Sequence, residues 1–161
     1  MKICNSEAMK IIKSLEEELR GLRANENTNC QVSYKEGETK QIPDYNYKTT
    51  RTESEKILKR IREIKHALAV ANSTYIIDDF NISIGEALVY LAQLNNEYSQ
   101  LSYLSAKNKI SRRITMNGVL EYTECLFEPE EVKKEQKALY EKIGKLQVSI
   151  DRANLNCFIE V

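Results

Sequence analysis

A chain of 161 residues with 24 basic and 24 acidic side chains carries no formal net charge. It has no global attraction for nucleic acid or an anionic membrane, so any such contact would need a local patch. Five glycines and two prolines are too few for a loop-rich all-β domain or a disordered chain, and no apolar run approaches the ~18 residues that span a bilayer.

The opening Met1-Lys2-Ile3-Cys4-Asn5-Ser6-Glu7 turns polar at once, unlike a signal peptide. The first predicted helix runs from about Ser6 to Asn25, with Asn5 or Ser6 as its cap. Ala8, Ile12, Leu15, Leu19 and Leu22 alternate steps of four and three, a seam of coiled-coil type. On its polar face Glu16 and Arg20 are spaced as a helix ion pair. The second helix is expected after Thr52, from the capping-box spacings Thr50-x-x-Glu53 and Thr52-x-x-Glu55. Its seam is Ile57, Ile61, Ile64, Leu68 and Ala71, and Asn72 suits a left-handed terminus. Tyr75-Ile76-Ile77 then reads as a short strand.

Ser83-Ile84-Gly85-Glu86 is a further capping box and opens the third helix. Ile84, Ala87, Leu91, Leu94, Tyr98 and Leu101 line it, and the pattern extends to about Lys109. Asp79, just before it, is placed to favour its N-terminus. The fourth helix starts after Pro129, whose ring fits a first turn, with Glu130 and Glu131 at the positive end of the dipole. Val132, Leu139, Ile143, Leu146 and Ile150 form its seam, Asn154 its expected end, and Cys157-Phe158-Ile159 a terminal strand.

The connections within the two helix pairs, residues 26–50 and 108–128, are too long for structureless loops in a compact domain. Each reads as a β-arm. In the first, Gln31–Tyr34 and Thr39–Ile42 flank Glu36-Gly37. In the second, Arg113–Met116 and Val119–Tyr122 flank Asn117-Gly118, the strongest two-residue hairpin signal.

The order helix, arm, helix, short strand occurs twice. Glu7-Ala8 and Leu15 recur 79 residues later as Glu86-Ala87 and Leu94. Ile61, Ile64, Leu68 and Ala71-Asn72 recur 82 residues later as Ile143, Leu146, Ile150 and Ala153-Asn154. Repeated units that each expose an apolar stripe bury it against one another. The expectation is therefore a mainly α domain spanning 1–161, made of two repeats, 1–80 and 81–161. Each is a helical hairpin, giving four long helices in an antiparallel bundle or coiled coil with short β-hairpin arms and terminal strands.

Little in the chain points to catalysis. His66 is the single histidine and has no partner at ligand spacing. The Cys positions, 4, 30, 125 and 157, contain no Cys-x-x-Cys pair. They fit free thiols in a reducing cytoplasm, with Cys4–Cys157 or Cys30–Cys125 bridges as the alternative. There is no Glu-x-x-His, no Gly-rich phosphate loop and no Gly-x-Ser-x-Gly. A non-enzyme without cofactor or metal is expected. The arms are the candidate sites. Val32, Tyr34, Tyr45 and Tyr47 in the first, and Ile114, Met116, Val119 and Tyr122 in the second, offer apolar and aromatic contact surface. A two-stranded arm does not bury both faces alone, so a homo-oligomer or another protein partner is expected. The alternative is a nucleic-acid contact by Lys107, Lys109, Arg112 and Arg113. Against it, the acidic residues that follow suit cross-strand pairing with these cations.

The Glu-Ala-Met start of the first helix, Ile57–Asn72, the restart over Ile82–Leu101 and the final Ile143–Asn154 resemble a family of uncharacterised bacterial helical proteins, some labelled septicolysin-like. That resemblance implies a helical fold and, through the label, a membrane-active cytolysin. It brings no catalytic residue to any position here.

Overall fold

The computed structural model describes residues 1–161. The chain is mainly α, with four helices and short antiparallel strand pairs. In order these are β1 (Lys2–Cys4), α1 (Asn5–Asn29), α2 (Tyr47–Thr74), β2 (Ile76–Ile77), β3 (Ile82–Ser83), α3 (Ile84–Ser105), β4 (Ile110–Ile114), β5 (Leu120–Glu124), α4 (Pro129–Asn156) and β6 (Phe158–Glu160). Two compact units result, residues 1–74 with 154–161 and residues 75–153. They differ from halves cut at residue 80, because each closing strand joins the other half's opening strand: β6 pairs with β1, and β2 with β3.

In the first unit α1 packs on α2. The predicted seam points inward: Ala8, Ile12, Leu19, Ile57, Ile61, Ile64 and Ala71 are buried, and Leu15, Leu22 and Leu68 half-buried. Glu16 bridges to Lys65 at 2.7 Å, while Arg20 takes Glu17 rather than Glu16. The start of α1 also departs from expectation. Cys4 is the cap residue, its N–H donating to Glu7 Oε2 at 2.9 Å, and that bond holds the Glu7 carboxyl below its usual range. Asn5 turns inward instead. It is 1% exposed, its N–H donates to the Cys157 carbonyl, and its Nδ2 donates to Asn72 Oδ1 at 3.0 Å. Its Oδ1 has no hydrogen-bond partner.

The second helix begins at Tyr47, not after Thr52. Asn46 caps it, accepting the Thr49 N–H on Oδ1 at 3.1 Å, while Thr50 is turned into the core. Neither α2 nor α4 stops at its asparagine. Each runs two residues further, and Asn81 is the one non-glycine with a positive φ. In α2, Ser73 and Thr74 hydroxyls bond the Val70 carbonyl and close the last turn.

In the second unit the Ser83 box forms as its spacing predicts. Ser83 Oγ accepts the Glu86 N–H, and the Ser83 N–H donates to Glu86 Oε2, both at 3.1 Å. Ser83→Ala should cost about 1 kcal/mol, read as a lower urea midpoint; an unchanged midpoint would mean the box holds nothing. Ile84, Ala87, Leu94, Ile143, Leu146 and Ile150 are buried. Toward their other ends α3 and α4 are joined by Tyr98 on Tyr140, ring centres 5.8 Å apart, and by Gln136 between Ser102 and Ser105. Asp79 serves α4 rather than the N-terminus of α3. It accepts the Ser149 hydroxyl at 2.8 Å and faces Arg152 at 3.6 Å. The third helix ends at Ser105, short of Lys109, whose ammonium is committed elsewhere.

Element bounds and key bonds fall at the same two offsets as the sequence match. Shifting Tyr47–Thr74 by 82 gives Pro129–Asn156, and Asn5 shifted by 79 gives Ile84, the start of α3. The Asn5 N–H bonds the Cys157 carbonyl at 3.0 Å, and the Ile84 N–H bonds the Tyr75 carbonyl at 3.1 Å. Ala8 and Ala87 are both fully buried, as are Ile64 and Leu146.

Candidate interaction surface

The first predicted arm is not a hairpin. Residues 30–46 carry no strand. The turn does form, with the Glu38 N–H on the Lys35 carbonyl and Gly37 at φ +84. Glu36 keeps a negative φ, which makes the turn type II. Such a turn splays its flanks, whereas both two-residue hairpin turns need a positive φ at the first central residue, here Glu36. Tyr34 and Lys40 still meet across it, the ammonium 4.5 Å from the ring centre. Val32, Tyr34 and Tyr47 are exposed. Tyr45 is half-buried and spent inside the unit, donating to Glu26 Oε1 at 2.9 Å, and burial beside that carboxylate raises its pKa.

The second arm is a hairpin, one residue out of the predicted register. Ile114 pairs with Leu120, Arg113 with Glu121 and Arg112 with Tyr122. The Gly118 N–H bonds the Thr115 carbonyl, the Thr115 N–H bonds the Val119 carbonyl, and only Gly118 has a positive φ. Asn117 therefore stays in the ordinary region, and the loop is a type I turn followed by a left-handed glycine. Of the predicted contact residues, Met116 lies at the tip, Val119 closes the loop, and Ile114 and Tyr122 lie in the ladder.

Register decides the faces. Side chains alternate along a strand and cross-strand partners share a face. One face gathers Ile110, Arg112, Ile114, Leu120, Tyr122 and Glu124; the other carries Ser111, Arg113, Glu121 and Thr123. Every residue of both strands is exposed, with Ile114 at 74% and Tyr122 at 62%. Ile110 and Leu120 complete the apolar face and were missed from sequence. A three-residue loop would have put Leu120 opposite Ile114.

The basic residues are mostly occupied. Lys109 anchors the base of the arm: it reaches Glu128 at 2.6 Å and the carbonyls of Cys125 and Phe127 at 3.2 and 3.3 Å, and the Glu128 contact raises its pKa. Arg113 pairs with Glu121, and Lys107 stands 4.0 Å from the centre of the Tyr103 ring. Arg112 alone of the four makes neither an ion pair nor a contact with an aromatic ring. Elsewhere in the second unit, an open groove of about 640 Å³ runs along Phe80, Ile82, Gly85, Glu86, Val89 and Tyr90. Its one carboxylate, Glu86, is committed to the Ser83 box. His66 is exposed, the four cysteines are free, and no three His, Cys, Asp or Glu side chains are grouped to hold a metal. Cys4, opposite Phe158 in the β1–β6 ladder, and Cys157, the residue before β6, are both buried, and burial raises the Cys157 thiol's pKa. No helix is long and apolar enough to cross a membrane.

No family model matches the chain, and no curated protein does. Among solved structures it is similar to that of a functionally unknown conserved protein from Corynebacterium diphtheriae. The TM-score is 0.70 at 16% identity, over 99% of this chain and 100% of that one. At that identity the likeness shows a shared fold, end to end, and nothing of activity.

Proposed function

We propose that the chain is a non-catalytic helical interaction protein that associates with a second copy of itself through the β4–β5 arm. One observation carries this: a two-stranded ribbon stands exposed on both faces and gathers four large apolar side chains, Ile110, Ile114, Leu120 and Tyr122, on one of them. An isolated two-stranded hairpin is marginal in water, so an arm of this kind gains stability when a second copy adds strands to it and widens its apolar face. A cytoplasmic setting belongs to the same proposal, since a reducing compartment suits four free thiols. Nucleic acid is not favoured as partner, because Lys107, Lys109 and Arg113 are engaged within the chain and Arg112 alone stands free of a partner carboxylate or aromatic ring.

Ile114→Asp with Leu120→Asp places two carboxylates on the apolar face and leaves α1 to α4 untouched. Light scattering should then report the monomer mass, while far-ultraviolet circular dichroism keeps the helical signal. A double variant with the wild-type oligomeric mass would reject the arm as the contact.

A further inference from the structure

The ladder of the second arm fixes which backbone groups remain free. The Thr115 N–H bonds the Val119 carbonyl at 2.9 Å, and the Cys125 N–H bonds the Lys109 carbonyl at 2.8 Å. Hydrogen-bonded and non-bonded pairs alternate in an antiparallel ladder, so in the register of this hairpin the pairs 113–121 and 111–123 also exchange bonds. Residues 110, 112 and 114 of β4, and 120, 122 and 124 of β5, therefore direct N–H and C=O groups away from each other, along the two outer edges. The sheet has only these two strands, and a free edge is a template for pairing with another chain.

We infer that the outer edge of β5 joins the same edge of a second copy, antiparallel and centred on Tyr122, into a four-stranded sheet. This rests on the self-association proposed above and says how the two copies meet. A two-fold axis requires a residue to face its own copy, and pairing that uses all three outward residues of an edge must centre on the middle one. On β4 that residue is Arg112. Its guanidinium would face its own twin, and like charges directly opposite are destabilising. On β5 the middle residue is Tyr122, Leu120 falls opposite Glu124, and Glu121 falls opposite Thr123. No like charges oppose one another, and two tyrosines meet at the centre as a favourable aromatic pair. Joining β4 to β5 of the next copy would match the charges but leave an edge at each end, which propagates instead of closing.

The test starts from the full chain with Cys30→Ser and Cys125→Ser, which removes the two thiols that are not buried. Single cysteines are then introduced as Tyr122→Cys or Arg112→Cys, and each protein is treated with a short bismaleimide. Tyr122→Cys should yield covalent dimer and Arg112→Cys only background. A mixture of Leu120→Cys and Glu124→Cys proteins should also crosslink, which guards against loss of the central tyrosine weakening the dimer. A dimer by light scattering that crosslinks through Arg112→Cys, or through none of these positions, would overturn the β5 edge and leave self-association standing. A parent protein that stays monomeric would sink both.

Discussion

Ile64→Ala and Leu146→Ala should each lower stability by about 2–5 kcal/mol. The two residues lie 82 positions apart, one in α2 and one in α4, and both side chains are fully buried. Each truncation removes buried methyl groups and leaves a void that rigid helical neighbours do not fully close, so the lost transfer energy and the cavity add. In a chain of this length each kcal/mol shifts the melting temperature by roughly 2–4 °C, so both variants should melt well below the parent. Leu126→Ala is the control: that side chain is fully exposed, and a surface change of this kind stays within about 0.5 kcal/mol. Urea unfolding of all three decides the matter. If either core variant lost less than Leu126→Ala does, the seam would not be the source of stability. If one lost heavily and its counterpart little, the equivalence of the two positions would fail.

The helices were the legible part of this sequence because their signal is local and repeated. Every seam position read from the three-and-four spacing is buried or half-buried, and the Ser83–Glu86 box is a four-residue pattern that needs nothing distant. The arms were harder because a turn dipeptide does not determine its own register. Asn117-Gly118 is compatible with a two-residue loop, which needs both residues at positive φ, or with a three-residue loop, which needs only glycine there. The chain adopts the second, and a slip of one residue changes which side chains share a face. That slip is why Leu120 is not expected opposite Ile114 from the sequence, and Ile110 is missed because the expected strand begins at Arg113 while β4 begins at Ile110. At Glu36-Gly37 the same ambiguity ends in a type II turn and no ladder. Asn5 failed for a different reason. A polar residue before an apolar periodic run resembles a cap, and nothing near it in sequence reveals the partner Asn72, 67 residues away.

Asn5 also supports the sharpest electrostatic prediction. It occupies the place that Ile84 holds 79 residues later, and both are buried at the first turn of a helix. Asn5→Asp should lower stability by about 1–2 kcal/mol near pH 8, because an uncompensated buried charge costs several kcal/mol and its surroundings return only part of it. Two effects offset part of that. The helix N-terminus favours a negative charge by up to about 2 kcal/mol in a partly buried setting. The Asn72 amide can turn its NH2 toward the carboxylate for a charge-assisted bond worth about 1.5–3 kcal/mol. Desolvation still wins, since Asn5 is 1% exposed and its one side-chain acceptor, Oδ1, already lacks a donor. The sign of the pH dependence follows. Burial raises the folded pKa of the new carboxyl above its unfolded value of about 3.9, so the unfolded state releases its proton first as pH rises. The deficit relative to wild type is then small below about pH 4 and grows to its full size once pH passes the raised folded value. Asn5→Ile should lose nothing, because it removes the orphaned oxygen and leaves half-buried Asn72 within reach of water, and Ile84 shows that the side chain fits a helix start. Paired urea titrations of wild type and both variants at pH 4 and pH 8 test this. An Asn5→Asp protein that matched wild type at pH 8 would mean that water or a rearranged donor reaches this site.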